Sequence, residues 1–158
     1  MSLETVNERG LVLLGCGKMG SAMLEGWLAN GVTLSSVTIL DPYPSDRLIG
    51  LSTEGLRLNL PLPSSPAICI LAVKPQMMGE ALSQITALGN SDTVFLSIAA
   101  GTPISTFENL IGERTPIIRA MPNMQVYAPA DVYELRSVLK YMASNRHPIY
   151  MQLIREKM

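Results

Sequence analysis

Residues 15–20, "GCGKMG", constrain the fold of this chain more than any other stretch. They follow the apolar run "LVLL" and precede "SAMLEGWLANG", whose apolar spacing predicts a helix ending at Asn30 and Gly31. Between a strand and a helix, Gly15 suits a tight turn, Gly17 lets a phosphate approach the backbone, and Gly20 lets the helix pack closely. Free N–H groups at the start of the helix would attract an anion. A glycine turn with no ligand is the alternative.

An acidic residue follows the next predicted strand. Asp41 ends the run "SVTIL", 21 residues after Gly20, close to the roughly 20 expected of an acid that binds a ribose. Such a carboxylate accepts from the 2′-hydroxyl and repels a 2′-phosphate, so it favours NAD over NADP. "DPYP" would equally suit a structural turn that begins at Asp41. Arg47 and Ser45 are near enough to reverse the cofactor preference.

Apolar runs alternate with helical segments along the first 125 residues. Further strands are predicted at residues 36–40, 67–73, 92–101 and 116–121, with a weaker one in "LRLNL", and helices at 75–88 and 104–111. Strands without polar alternation, separated by helices, predict an α/β fold with a doubly wound, Rossmann-type parallel sheet. Residues 1–125 form this predicted domain. Residues 126–158 carry no further strand signal, and an apolar stripe predicts a short helical tail there: Val132, Leu135, Leu139 and Met142.

Composition and charge narrow the classes of function. The chain has 158 residues, 47% hydrophobic, and its 12 basic residues against 13 acidic ones favour neither nucleic acid nor a membrane surface. His147 is the single histidine and lies far from every motif, which argues against Ser–His or Cys–His catalysis. Cys16 and Cys69 have no metal-ligand spacing, so we expect reduced thiols in the cytoplasm and no metal. Cys16 precedes a helix, where a thiolate could be stabilised, but a buried loop position is the preferred interpretation.

Small or polar residues follow three later strands. These segments are "AVKPQ" at 72–76, "SIAAG" at 97–101 and "RAMPN" at 119–123. Ligands of open parallel sheets bind at the carboxyl ends of the strands. Lys74 could therefore contact a ligand, although a solvated lysine before a helix is an equal alternative. Together the three segments predict a crevice that could hold a flat ring.

The motifs "GCGKMGSAMLEGWL", "ILAVKPQ", "SIAAGTPISTFENLIG" and "IIRAMPN" resemble the N-terminal domain of pyrroline-5-carboxylate reductases over about residues 10–123. The resemblance implies hydride transfer from NADP(H) or NAD(H) to a cyclic imine, giving L-proline, with the nicotinamide supplying the reactivity. It implies a small-molecule substrate and a homo-oligomer, and it leaves the catalytic residues unassigned. It also implies these cofactor contacts: Gly15, Cys16, Gly17, Lys18, Met19, Gly20, Asn59 at the adenosine end, Ala72, Val73, Lys74, Pro75, Ala99, Ala100 and Gly101. Substrate-side positions are Met121, Pro122 and Asn123.

The chain departs from that family at two places. Members often carry a neutral or basic residue where Asp41 stands, and they commonly use NADPH. They also continue with Thr-Pro-Ala, a further strand and a long helical domain, whereas "MPNM" here continues with "QVYAPADVYEL". We therefore expect a truncated, altered or chimeric chain, or a divergent relative whose short helix replaces that domain. A related imine or hydroxyacid reductase, and a non-catalytic nucleotide-binding or assembly module, are the alternative functions.

Overall fold

A computed structural model of the chain describes residues 2–120, 125–127 and 149–151. The chain divides into two compact units, residues 1–120 and residues 121–158. None of the described helices combines the length and the apolar character that crossing a bilayer requires.

The elements of the first unit in chain order are α1 (Leu3–Arg9), β1 (Leu11–Leu14), α2 (Lys18–Ala29), β2 (Val37–Leu40), α3 (Asp46–Thr53), β3 (Arg57–Leu58), β4 (Ile68–Leu71), α4 (Met78–Ser83), β5 (Val94–Ser97), α5 (Ile104–Ile111) and β6 (Ile117–Arg119). The six strands are parallel and lie side by side in the order β3-β2-β1-β4-β5-β6. In register, Leu13 of the central strand β1 faces Ile39 on one side and Ile70 on the other. The doubly wound parallel sheet is therefore confirmed.

Helices cover both faces of the sheet, which explains why its central strands are apolar without alternation. All four residues of β1 are buried. Val12 and Leu14 belong to a core cluster that includes Phe107 of α5. Leu11 and Leu13 belong to a second cluster on the opposite face, which includes Leu24 of α2.

Two helices lie where the sequence patterns predicted none. The helix α1 has no buried residue, so no apolar stripe marks it; Ser2 caps it by accepting from the N–H of Thr5 at 3.2 Å. The helix α3 lies in the stretch predicted to hold only a weak strand, and it buries just Leu48 and Leu51. Short helices with a narrow buried face are hard to distinguish from loops by periodicity.

The single helix predicted over residues 75–88 is wrong in its length. A 3₁₀ turn over Pro75–Met77 precedes α4, and a second one over Thr86–Leu88 follows it. Ile85 leaves helical geometry at φ −121° while its side chain stays fully buried. Buried residues continue through this stretch and so produce the sequence pattern of one helix. The backbone is nevertheless helical in three short pieces.

The described residues of the second unit form two short strands, β7 (Gln125–Tyr127) and β8 (Ile149–Met151), which pair in parallel. The expectation of no strand beyond residue 125 is wrong at these positions. Both segments are rich in β-branched and aromatic residues, but three residues are too few to produce a recognisable period. The predicted helical stripe from Val132 to Met142 lies outside the described residues.

Candidate functional site

The candidate site lies at the carboxyl edge of the sheet, defined here as the segments that follow β1, β2, β4 and β5. Backbone hydrogen bonds tie these segments together. The N–H of Gly15 donates to the carbonyl of Leu40 at 2.9 Å, and the N–H of Ala72 donates to that of Leu14 at 2.9 Å. The structure therefore brings the glycine loop, the Asp41 turn and the segment at residues 72–76 to one edge of the sheet, as the parallel topology requires.

The three glycines of the loop over residues 15–20 have different surroundings. Gly15 has φ +84°, and a Cβ there would lie 2.7 Å from Cγ1 of Val73. A Cβ on Gly20 would lie 2.6 Å from the carbonyl oxygen of Gly15. A Cβ on Gly17 would meet nothing within 4 Å. The fold itself thus requires the first and third glycines, while the second borders open space that a ligand can enter.

The helix α2 begins at this open position. Gly17 is its N-cap, and no side chain caps the helix. The N–H groups of the first turn consequently keep their capacity to bind an anion, favoured by the helix dipole. Lys18 and Met19 of that turn are exposed. This end of α2 has the geometry and the charge preference of a phosphate site.

Asp41 joins two loops through its carboxylate. Its Oδ2 accepts from the N–H of Cys16 at 2.7 Å, and its Oδ1 accepts from the N–H of Tyr43 at 2.8 Å. Asp41 therefore does form the structural turn that its sequence suggested. The ribose hypothesis stays open as well, because a carboxylate has about four acceptor positions and these bonds use two.

Asn59 holds the backbone of Asp41 from the other side. Its Nδ2 donates to the carbonyl of Asp41 at 2.8 Å, and its Oδ1 accepts from the N–H of Asp41 at 2.9 Å. It adopts φ +51°, a left-handed conformation that asparagine tolerates better than most residues. The resemblance places Asn59 at the adenosine end of a cofactor, but no local pattern predicts this clamp, because the pairing spans 18 residues.

The segments after β4 and β5 present small or exposed residues. Ala72 and Val73 are half-buried, while Lys74 and Pro75 are exposed. After β5, Ala99 is buried and its N–H donates to Oγ of Ser97 at 3.3 Å, whereas Ala100 and Gly101 are exposed. Between the ends of β1 and β2 and helix α4 lies a small cavity of about 70 Å³, lined among others by Leu40, Pro42, Val73 and Met77. Glu80 and Gln84 also line it, so its wall is only partly apolar.

Neither cysteine has the surroundings of an activated thiolate. Cys16 is 5% exposed, and burial is the main cause that raises the pKa of its thiol, with the negative charge of Asp41 adding to it. Burial also raises the pKa of Cys69, which lies inside β4. The structure thus agrees with the interpretation of Cys16 as a buried loop residue.

Two arginines near the carboxyl edge received no firm role from the sequence. The Nε of Arg47 in α3 donates to Oε1 of Glu25 in α2, and both side chains are exposed. Nη2 of Arg119 donates to the carbonyl of Ala99 at 3.5 Å, and its buried Nε has no hydrogen-bond partner among the described residues. Met121, Pro122 and Asn123 lie outside the described residues.

Comparison with known proteins adds to this geometry. The family described as NADP oxidoreductase, coenzyme F420-dependent, matches residues 10–101. The pyrroline-5-carboxylate reductase of Methanosarcina acetivorans is 34% identical over 115 residues, which are 70% of this chain and 43% of the relative. That of Escherichia coli K12 is 34% identical over 122 residues, 73% of this chain and 45% of the relative. The chain spans less than half the length of these relatives.

The fold is also similar to that of a solved structure. Plasmodium falciparum pyrroline carboxylate reductase with NADP bound superimposes with a TM-score of 0.59 at 22% identity. The match covers 95% of this chain and 59% of that one. At this identity the likeness concerns the fold alone.

Proposed function

The chain belongs to the NADP oxidoreductase, coenzyme F420-dependent, family, and from this premise we propose that it is the dinucleotide-binding part of a pyrroline-5-carboxylate reductase. The reaction transfers a hydride from NADPH or NADH to the C=N carbon of the cyclic imine and a proton to its nitrogen, giving L-proline and the oxidised cofactor. The similarity of the dinucleotide-binding unit to the curated reductases supports this substrate.

One observation carries the proposal: the open position at Gly17, between two glycines that the fold itself requires. A Cβ at Gly17 would occupy the space in which a pyrophosphate must approach the backbone. The uncapped first turn of α2 supplies N–H donors to the same place. A glycine turn without a ligand would need no such space.

The other residues at the carboxyl edge fit the remaining parts of the cofactor. Asp41 would accept from the ribose, and Leu40 and Pro42 beside it would border the adenine. Residues 72–75 and 99–101 would line the nicotinamide, and Met121, Pro122 and Asn123 would face the imine. When bound, the nicotinamide supplies the hydride, so the protein needs only to hold and orient it. The small side chains of Ala99, Ala100 and Gly101 leave room for a ring.

We further propose that the protein acts in the cytoplasm as a homo-oligomer, with a small-molecule substrate and no nucleic-acid partner. The support is the family resemblance, together with the near-neutral balance of charge.

Titration of the full chain with NADH and with NADPH tests the proposal. Trp27 is the single tryptophan and lies near the end of α2, and a reduced nicotinamide absorbs the light that tryptophan emits, so its emission should fall when NADH or NADPH binds. Binding that saturates, and that Gly17→Ala weakens without loss of folding, is the expected result. If neither nucleotide binds to the folded chain, the proposal is wrong. Turnover of pyrroline-5-carboxylate against other small imines and 2-hydroxy acids separates this activity from that of related reductases.

A further inference from the structure

We propose that residues 41–47, together with Glu25, select a dinucleotide with a free 2′-hydroxyl, so that this chain binds NADH in preference to NADPH. The inference rests on the proposed function, because it requires a dinucleotide at the loop of Gly17. It concerns only the adenosine end of the cofactor, and every residue it uses is described by the structure.

The carboxylate of Asp41 supplies hydrogen-bond acceptors for a ribose. Both oxygens of Asp41 bond to backbone N–H groups, of Cys16 and Tyr43, and Asn59 clamps the backbone of Asp41. The carboxylate is therefore held at a fixed place directly beside the glycine loop. Each oxygen keeps one acceptor position, which matches the donor capacity of two ribose hydroxyls.

Free backbone N–H groups are missing from the three residues that follow Asp41. A 2′-phosphate accepts hydrogen bonds and needs N–H or O–H groups to bind it. Pro42 and Pro44 have no N–H, and the N–H of Tyr43 already donates to Asp41. The Oγ of Ser45 accepts from the N–H of Leu48 at 3.4 Å and still carries its own proton. Residues 42–44 therefore offer a phosphate no free backbone N–H.

Charge acts in the same direction. Asp46 lies in the first turn of α3 and adds a negative charge where a helix would otherwise favour an anion. Asp41 and Asp46 together place two carboxylates in residues 41–47, and a phosphate monoester would bring two more negative charges. Like charges within a few ångströms disfavour each other.

Arg47 is the single arginine of residues 41–47 and the residue that could neutralise a 2′-phosphate. Its Nε donates to Oε1 of Glu25 of α2. The side chains are 63% and 49% exposed, so the pair contributes little to stability. The pair acts on binding through charge: the Nη groups of Arg47 can still donate, but the carboxylate of Glu25 balances the positive charge and weakens its attraction for a second anion.

The test measures the dissociation constants of the full chain for NADH and NADPH by the emission of Trp27. The wild type should bind NADH at least about tenfold more tightly, equivalent to about 1.4 kcal/mol. Asp41→Asn keeps the size and one acceptor oxygen but removes the charge, and it should narrow that ratio several-fold. Circular dichroism checks that this variant is folded.

Glu25→Gln isolates the role of Arg47 without touching the proposed ribose contact. It should strengthen NADPH binding several-fold and leave NADH binding unchanged. The gain should disappear in the double variant Glu25→Gln/Arg47→Gln. Glu113→Gln is the matched control, since it removes an exposed carboxylate from the turn after α5 and should change neither constant.

The outcomes separate the two proposals. If the folded wild type binds neither nucleotide, the proposed function fails and the selection fails with it. If it binds both equally, or NADPH more tightly, the function stands and the selection is wrong. An unchanged NADPH affinity in Glu25→Gln would also overturn the part assigned to Arg47, even if Asp41→Asn proved too unstable to measure.

Discussion

Polar groups at the amino ends and at the carboxyl ends of the six strands have different hydrogen-bonding surroundings. At the amino edge, Arg9 donates to the carbonyl and to Oγ of Ser65 at 3.1 and 3.0 Å, and Arg57 donates to the carbonyl of Pro61 at 2.9 Å. At the carboxyl edge, Gly17 borders open space and α2 has no side-chain cap. At the amino edge the arginine side chains donate to oxygens of the protein. At the carboxyl edge, backbone N–H groups and open space remain for a ligand.

Cavity size and hydrogen-bonding capacity point to different edges of the sheet. A cleft of about 590 Å³ lies at the amino edge, lined in part by Arg9 and Arg57, while the cavity at the carboxyl edge measures about 70 Å³. The guanidinium groups of the larger cleft already donate to protein oxygens, as described above. Free hydrogen-bonding capacity, rather than volume, distinguishes the candidate site.

The largest expected effect is on stability, from a substitution in the glycine loop at the carboxyl edge. Gly15→Ala should lower the free energy of unfolding by about 3 kcal/mol, because an alanine is strained at φ +84° and its Cβ would press on Val73. Urea denaturation measures the change. A loss below about 1 kcal/mol would mean that the loop relaxes easily, and the contrast between the glycines would not hold.

Gly17→Ala tests the glycine that borders open space, in contrast to Gly15, which the fold requires. Because its Cβ meets nothing within 4 Å, stability should change by no more than about 0.5 kcal/mol. NADH affinity should nevertheless fall at least about tenfold, as the methyl group displaces the pyrophosphate. Wild-type affinity in this variant would show that the open space does not hold the cofactor.

At the amino edge the expectation is reversed. Oδ1 of Asn7 accepts from the N–H of Thr33 at 2.9 Å, and its Nδ2 donates to the carbonyl of Gly31 at 3.1 Å. Asn7→Ala should cost about 1–2 kcal/mol of stability while leaving nucleotide affinity unchanged. Asn7→Asp keeps the acceptor and should recover part of the loss. Weaker NADH binding by a folded Asn7→Ala protein would contradict the separation of the two edges.

The smallest effect concerns pH. The hydrogen bond from Arg47 lowers the pKa of Glu25 below its usual value of 4.5. A lowered folded pKa adds stability above the unfolded pKa, and this is lost as the pH falls through the folded one. Melting temperatures of wild type and Glu25→Gln should therefore differ slightly at pH 7 and converge as the pH falls below the lowered pKa of Glu25. High salt should reduce the difference at pH 7 as well.

The sequence predicted the sheet well because its strands are buried on both faces. Val12 and Leu13 lie on opposite faces, yet both are fully buried, so the run is apolar throughout and easily recognised. The helices α1 and α3 escaped prediction because few or none of their residues are buried. Their signals were Ser2 and Ser45, serines that cap a helix but are equally common in turns.

The candidate site was predictable where it depends on neighbours in sequence. The spacing of Gly15, Gly17 and Gly20 encodes a local turn, and the structure gives each glycine distinct surroundings. The clamp of Asn59 on Asp41 could not be predicted, because it depends on the register between β2 and β3. The same holds for the Glu25–Arg47 pair, whose partners lie on separate helices.

The hydrogen bond from the N–H of Cys16 to Asp41 has a consequence for the rate of binding. It fixes the glycine loop during folding, before any nucleotide arrives, so little conformational entropy remains to be lost on association. Dinucleotide binding should accordingly be a single fast step, without a slow phase for ordering the loop. In Asp41→Asn, where one of the two backbone bonds must be lost, a slower second phase would report the loop becoming ordered around its ligand.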